Sequence, residues 1–296
     1  MRLGHLSGPE GPELFVEAGG VRRPVGDLVE DAPATLDELI RSSREWRPVI
    51  AAALERDGGA GRGGADEARL LSPLLAPGSI VAIGLNYLDH CREFGTEPPA
   101  APIVFVKLAS SVRGPTEPVE WSTAVTGAVD WEAELGVVIG RAAKDVPVES
   151  ALGHVFGYTV VNDITARDVQ RAEAQWVRAK SLDTFCPLGP VVVTADELPD
   201  PQALAIRSRL NGETMQDSST AEMIFGVAEL ISILSRSFTL RPGDVIATGT
   251  PLGVGAFRDP PRFLADGDLV EVEVEGIGTL KNACRVRAAD YEEERA

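Results

Sequence analysis

The stretch VDWEAELGVVIG, residues 129–140, reads as a β-strand, and its reading decides the fold. Trp131, Ala133, Leu135, Val137 and Ile139 occupy alternate positions, which places them on one buried, apolar face. The other face carries Asp130, Glu132 and Glu134 in succession, then Gly136 and Val138. Two glutamates two residues apart on a strand point the same way. Buried without a cation, they would repel by about 4 kcal/mol at ~4 Å in an effective dielectric near 20. Either water bathes that face or positive charge sits on it, and a divalent metal is one such charge.

Working outward, further short β-type runs follow from Gly78 onward: SIVAIGL, PIVFVKL, HVFGYTVVND, GPVVVT, LAIRSRLNG, DVIATG and DLVEVEVEGIG. Helical patterns interrupt them only near 86–94, 164–178 and 221–236. Without regular βαβ alternation the pattern predicts a mixed, mostly-β core and no Rossmann fold. Residues 1–75 have a different texture and read as a small N-terminal α+β unit. It holds a hairpin at Gly19-Gly20 and one or two amphipathic helices in TLDELIRSSREWRPVIAAALERD. The polar, Gly-rich stretch at 57–68 reads as a loop, the segment 78–288 as the main β-rich domain, and 289–296 as a solvated acidic tail.

The composition narrows the class. A chain of 296 residues, 44% hydrophobic, can bury a full core. Its net charge of −17 argues against nucleic acid or an anionic membrane as partner. MRLGHLSGPEGPELF lacks an apolar leader core, and no apolar run approaches spanning length. Cys91, Cys186 and Cys284 form no CxxC pair, so reduced thiols and a cytoplasmic protein are expected.

Three groupings can carry chemistry. Asp163, at the end of GYTVVND where a helical pattern begins, can supply a third oxygen beside Glu132 and Glu134, or can simply cap that helix. LVEVEVEG at 269–276 repeats the alternation with Glu271, Glu273 and Glu275 and reads as a solvated face, so spacing alone does not separate ligands from surface. In GLNYLDHCREFG, His90 and Glu93 lie three apart, and on a helix they share a face. A carboxylate that orients an imidazole makes a general base, although such pairs also decorate helix surfaces. The loop GTPLGVG, 249–255, lacks the Lys-Ser/Thr of a P-loop but can bring backbone amides to an anion.

Taken in order over 78–288, GLNYLDHCREFG, FVKLASSVRGP, DWEAELGVVIG, VVNDITARDVQ, AKSLDTFCPLGP, LNGETMQDSSTAEMIF, LRPGDVIATGTPLGVG and EGIGTLKN resemble the fumarylacetoacetate hydrolase family. The resemblance implies a mostly-β, mixed β-roll with a few flanking helices, in a homodimer. It implies Mg²⁺ or Mn²⁺ held by Glu132, Glu134 and Asp163. His90 and Glu93 resemble the catalytic dyad on a lid segment, and Lys180 the substrate-contacting lysine. Gln170 and Thr250 match positions lining the substrate pocket. Lys107 also matches a family pattern and is read as structural. Asn86 and Asp89 stand where larger members hold one more aspartate ligand, so water is expected there instead.

The implied activity is hydrolysis of a C–C bond in a 2,4-dioxo acid of the acylpyruvate or fumarylpyruvate type, as in aromatic-compound catabolism. The metal's part is to stabilise an enolate. All-oxygen ligands without histidine suit a hard cation. The same chemistry serves isomerases of hydroxymuconate-type substrates and decarboxylases of oxaloacetate-like ones. A catalytically silent metal-binding protein on this fold needs neither the dyad nor Lys180, and both are present.

Overall fold

The computed structural model describes residues 1–57 and 69–287. The Gly-rich stretch beyond residue 57 and the acidic tail lie outside the described residues. Two sheets dominate. The larger runs, edge to edge, through Val21–Pro24, Gly11–Ala18, Arg2–Gly8, Cys186–Thr194, Val155–Asn162, Ala133–Ile139, Val245–Ala247, Ile80–Gly84 and Ile103–Lys107. Val245–Ala247 and Ile80–Gly84 run parallel while their neighbours are antiparallel, so the sheet is mixed as expected. The second sheet orders Glu213–Ser219, Ala205–Leu210, Leu269–Val274, Gly278–Arg287 and Val119–Ser122.

The expected hairpin forms between Gly11–Ala18 and Val21–Pro24, with Gly19 and Gly20 both at positive φ (59° and 77°), as a tight turn of this hand requires. Arg2–Gly8 pairs with both Gly11–Ala18 and Cys186–Thr194, so the N-terminal strands continue the large sheet. The change of sequence texture near residue 75 therefore coincides with no break in that sheet's hydrogen bonding.

Residues 129–140 differ from the simple alternating strand. Val129–Asp130 pairs with Thr165–Ala166, Trp131 and Glu132 break the ladder, and Ala133–Ile139 resumes it at the centre of the large sheet. All seven residues of Ala133–Ile139 are buried. Ala133, Leu135, Val137 and Ile139 pack with Ile206, Val272, Val274 and Leu280 of the second sheet and with Leu230 and Ile231 of the helix Val227–Ser237. Val138 packs on the opposite side with Val161, Val192, Val245 and the N-terminal residues Leu36, Leu39, Ile40 and Ile50. Gly136 lies on this side too, where an added Cβ would stand 2.8 Å from Val161 Cγ2. Layers thus cover both faces of the strand, which leaves positive charge, of the two alternatives for the acidic side, in place of water. The functional groups gather at its Glu134 end.

Candidate active site

Each carboxylate of the cluster comes from a different local device. Glu132 sits in the break of the central strand, its amide donating to Asn162 Oδ1 at 3.1 Å. Glu134 projects from the first turn-free residues of Ala133–Ile139. Asp163 follows directly on Val155–Asn162, and its amide donates to Glu132 O at 2.9 Å. Ligand oxygens of Glu132, Glu134 and Asp163 all lie within 4.8 Å of one another, with every residue buried. Among the described residues no other group of this kind assembles. The capping role open to Asp163 is not taken: the following helix Arg167–Ala172 starts from Ala166 without a side-chain cap. Glu271 and Glu273, spaced alike, are only partly buried and pair with Lys281 and Arg209 on the second sheet, as a solvated face should.

Cations balance this concentration of acid. Lys180 Nζ lies 2.8 Å from both Glu132 Oε2 and Asp163 Oδ2, wedged between them. Lys107 Nζ lies 2.5 Å from Asp163 Oδ1 and also donates to the carbonyl of Lys180. Lys107 therefore does more than pack: it fixes both a carboxylate and the backbone that carries the second lysine. Arg167, which sequence reading passed over, puts Nε 2.8 Å from Asp130 Oδ2 and Nη2 2.7 Å from Glu132 Oε1. Its Nη1 donates to Gln170 Oε1 at 3.0 Å. The sequence marks it only as the basic residue of TARD, four positions after Asp163, with nothing local to name its partners.

The titration of the cluster divides its members. Burial alone would raise Glu132, but the Lys180 ammonium and the Arg167 guanidinium overcome it and pull the carboxyl down to about 2. At Glu134 the balance falls the other way. Burial, then the charges of Asp163 and Glu132, push it well above the usual carboxylate range, against the opposing charge of Lys180 and the amide of Gly249. Burial would lower Lys180, yet Asp163 and Glu132 outweigh it and keep the ammonium charged. The protein's own cations leave one acid of the cluster unpaid for. A buried, all-oxygen set with one unneutralised member fits a hard divalent cation.

The loop 249–255 spends its amides on the protein's own carboxylates, not on an external anion. Gly249 N donates to Glu134 Oε2 at 2.9 Å, Gly253 N to Glu93 Oε1 at 2.9 Å and Gly255 N to Asp130 Oδ1 at 2.7 Å. Glycine is required at Gly249: its φ is 96°, and a Cβ there would stand 2.8 Å from Asn86 Cβ. This loop ties the cluster to the dyad. His90 and Glu93 both lie on the helix Leu88–Phe94, with His90 Nδ1 3.0 Å from Glu93 Oε2. Glu93 is thus held from both oxygens, and the imidazole edge it orients is buried against Phe257, ring centroids 5.6 Å apart. That is a built pair rather than a helix-surface one.

Asn86 and Asp89 do not join the cluster. Asn86 bonds Phe225 and Thr248, and Asp89 accepts from Ser218 Oγ at 2.5 Å and from its neighbour's amide. A cavity of about 260 Å³ lies over the site. Glu132, Lys180, Thr250 and Arg167 line its floor, and His90, Phe94, Phe257, Phe105 and Trp176 its walls. Gln170 and Arg171 also line it; of the proposed ligand, dyad and substrate residues, Glu134, Asp163 and Glu93 do not face this space.

Residues 79–286 match the family model described as fumarylacetoacetate (FAA) hydrolase C-terminal. The chain belongs to the fumarylacetoacetate hydrolase family. The chain is 40% identical over 299 aligned residues to the mitochondrial oxaloacetate tautomerase FAHD2A of Bos taurus, covering 95% of this chain and 91% of that protein. It is 46% identical over 219 residues to the oxaloacetate tautomerase YisK of Bacillus subtilis (strain 168), 73% of each. A fumarylacetoacetate hydrolase structure from psychrophilic Exiguobacterium antarcticum superposes with a TM-score of 0.87 at 39% identity, covering 97% of this chain and all of that one. The maleylpyruvate hydrolase of Sphingobium sp. SYK-6, solved with manganese(II) and pyruvate, superposes with a TM-score of 0.79 at 30% identity, over 97% and 99% of the two chains. Family members so described include hydrolases and isomerases, and this chain is an enzyme of that group. No described helix is long and apolar enough to cross a membrane.

Proposed function

We propose that this family member is a divalent-metal-dependent keto–enol tautomerase of a small 2-oxo dicarboxylate of the oxaloacetate kind. The observation that carries the reading is the pocket floor, where Glu132, Glu134 and Asp163 converge beside Lys180 under a cavity of about 260 Å³. A cavity of that size suits a small acid rather than an extended one. The two tautomerase relatives support the substrate class.

Glu132, Glu134 and Asp163 would hold the cation, with Mg²⁺ or Mn²⁺ favoured by the oxygen-only donors; the manganese(II) of the maleylpyruvate hydrolase structure is in line with this. Once bound, it supplies positive charge that lowers the cost of an enolate. Lys180, already charged and buried, adds to that charge from the protein side. His90 exchanges the proton at the carbon next to the keto group, its ring held by Glu93. Thr250 is fixed in the floor, where its hydroxyl accepts from Gln216 Nε2 at 2.8 Å.

The test follows loss of the enol absorbance of oxaloacetate with Mn²⁺ present, for the wild type and for Asp163→Ala. Acceleration by the wild type alone supports the reading; a wild-type rate equal to that of Mn²⁺ in buffer refutes it. A second reading, hydrolysis of an acylpyruvate, draws support from the dyad, because Glu93 is anchored at both oxygens as a water-activating pair requires. Pyruvate release from an acylpyruvate in the same preparations decides between the two.

We also propose a homodimer. Ile103–Lys107 ends the large sheet, and Val104, Val106 and the adjoining Leu108 are exposed there. Light scattering at the mass of a single chain would refute it.

A further inference from the structure

The distribution of charge around the pocket singles out one more residue. Lys107, Lys180 and Arg167 each lie within 2.8 Å of a buried carboxylate, so these cations are already committed. Arg171 lines the same pocket, is exposed, and has no ion pair or hydrogen bond with any described residue. It belongs to the helix Arg167–Ala172, four residues after Arg167. That spacing puts both side chains on one face, about 6 Å apart along the axis. Arg167 is buried in the floor while Arg171, lining the same cavity, is exposed, which places Arg171 at the mouth. An uncommitted guanidinium on the rim of an aromatic-walled cavity, in a chain of net charge −17, is a local attractor for an anion.

We infer that Arg171 sets substrate specificity by taking the distal carboxylate of a dicarboxylate whose 2-oxo acid end lies on the Glu132/Lys180 floor. This rests on the reading of the floor given under Proposed function. The planar guanidinium matches a carboxylate in a fork of two hydrogen bonds, which a monocarboxylic 2-oxo acid cannot engage. Arg171 touches no reacting atom, so its loss removes binding shared by ground state and transition state and raises KM more than it lowers kcat.

The experiment uses the Mn²⁺-loaded full chain and calorimetric titration with three unreactive acids: oxalate, malate and lactate. Malate and lactate differ by the distal carboxylate, whereas oxalate needs only the floor. The wild type should prefer malate to lactate by about 10- to 100-fold, the range for a charge-assisted pair. Arg171→Gln should erase that preference with oxalate affinity kept, Arg171→Lys should restore part of it, and Arg171→Glu should favour lactate. In turnover, Arg171→Gln should raise KM for oxaloacetate with kcat nearly intact. Equal wild-type affinities for malate and lactate, or a preference that survives Arg171→Gln, would overturn the inference while oxalate binding still upheld the floor. Absence of oxalate binding to the wild type would instead overturn the reading of the floor, and this inference with it.

Discussion

Lys107 Nζ lies 2.5 Å from Asp163 Oδ1, and neither side chain has any exposure to solvent. One cluster carboxylate is therefore clamped from behind by a lysine on Ile103–Lys107, while Lys180 approaches its other oxygen. The clamp explains how Asp163 keeps its orientation at a strand end, where side chains ordinarily have freedom.

Breaking a buried pair by removing one partner strands a charge, at a cost of about 3–5 kcal/mol. Lys107→Met leaves Asp163 paired with Lys180 alone, so it should lower stability by less than that, read from denaturant midpoints. Lys107→Met combined with Asp163→Asn should cost less than the sum of the single changes, because the two residues share the interaction. Strict additivity would show that Lys107 acts through packing alone.

How much of this was legible in the sequence differs residue by residue. Residues 132 and 134 could not be told from 271 and 273 by spacing, because each stretch alternates apolar and acidic residues. What separates them is nonlocal: layers cover both sides of Ala133–Ile139, whereas Leu269–Val274 keeps one side partly open. Only the ordered series of motifs across the chain singled out the pair that the fold gathers with Asp163. Arg167 and the amides of Gly249, Gly253 and Gly255 were unreadable for a related reason. Their partners Asp130, Glu134 and Glu93 lie 37 to 160 residues away, so no local pattern announces the bond.

That contrast gives a control. Glu132→Ala should remove measurable Mn²⁺ binding by calorimetry, whereas Glu273→Ala should leave it unchanged, since Glu273 pairs with Arg209 on the far sheet. The exposed pair is worth little, so Glu273→Ala should also shift stability by less than about 1 kcal/mol. Mn²⁺ binding that survives Glu132→Ala, or that falls equally in Glu273→Ala, would overturn the assignment of the ligand stretch.

The dyad separates the two proposed activities. Hydrolysis of an acylpyruvate needs an activated water, so His90→Ala should slow it about 10²–10⁴-fold, the range for a lost general base. Tautomerisation needs only proton exchange, which solvent can partly replace, and should fall less. Glu93→Gln should follow His90→Ala in direction with a smaller loss, because Gly253 still holds its side chain. Oxalate and Mn²⁺ should bind both variants as they bind the wild type. Full activity of His90→Ala on oxaloacetate and acylpyruvate alike would reduce the pair to a structural contact.

Glu134 carries the sharpest pH dependence. Burial first, then the neighbouring charges of Asp163 and Glu132, raise its carboxyl well above the usual range. A glutamate in the unfolded chain titrates near ~4.3. Between that pH and the raised folded value, the folded protein holds a proton that the unfolded chain has lost. Stability from this group is therefore complete below the unfolded value and is lost as pH rises through the folded one. Glu134→Gln keeps the shape and cannot ionise, so at neutral pH the metal-free variant should melt higher than the metal-free wild type. The same substitution removes a negative ligand, and Mn²⁺ affinity should fall by at least about 100-fold. In the wild type Mn²⁺ must displace the Glu134 proton, so apparent affinity should rise with pH. Calorimetry in two buffers of different ionisation enthalpy should then report proton release on binding, which Glu134→Gln abolishes. A metal-free Glu134→Gln protein that melts lower than the wild type, together with buffer-independent heats for the wild type, would show that Glu134 is ionised before the metal arrives.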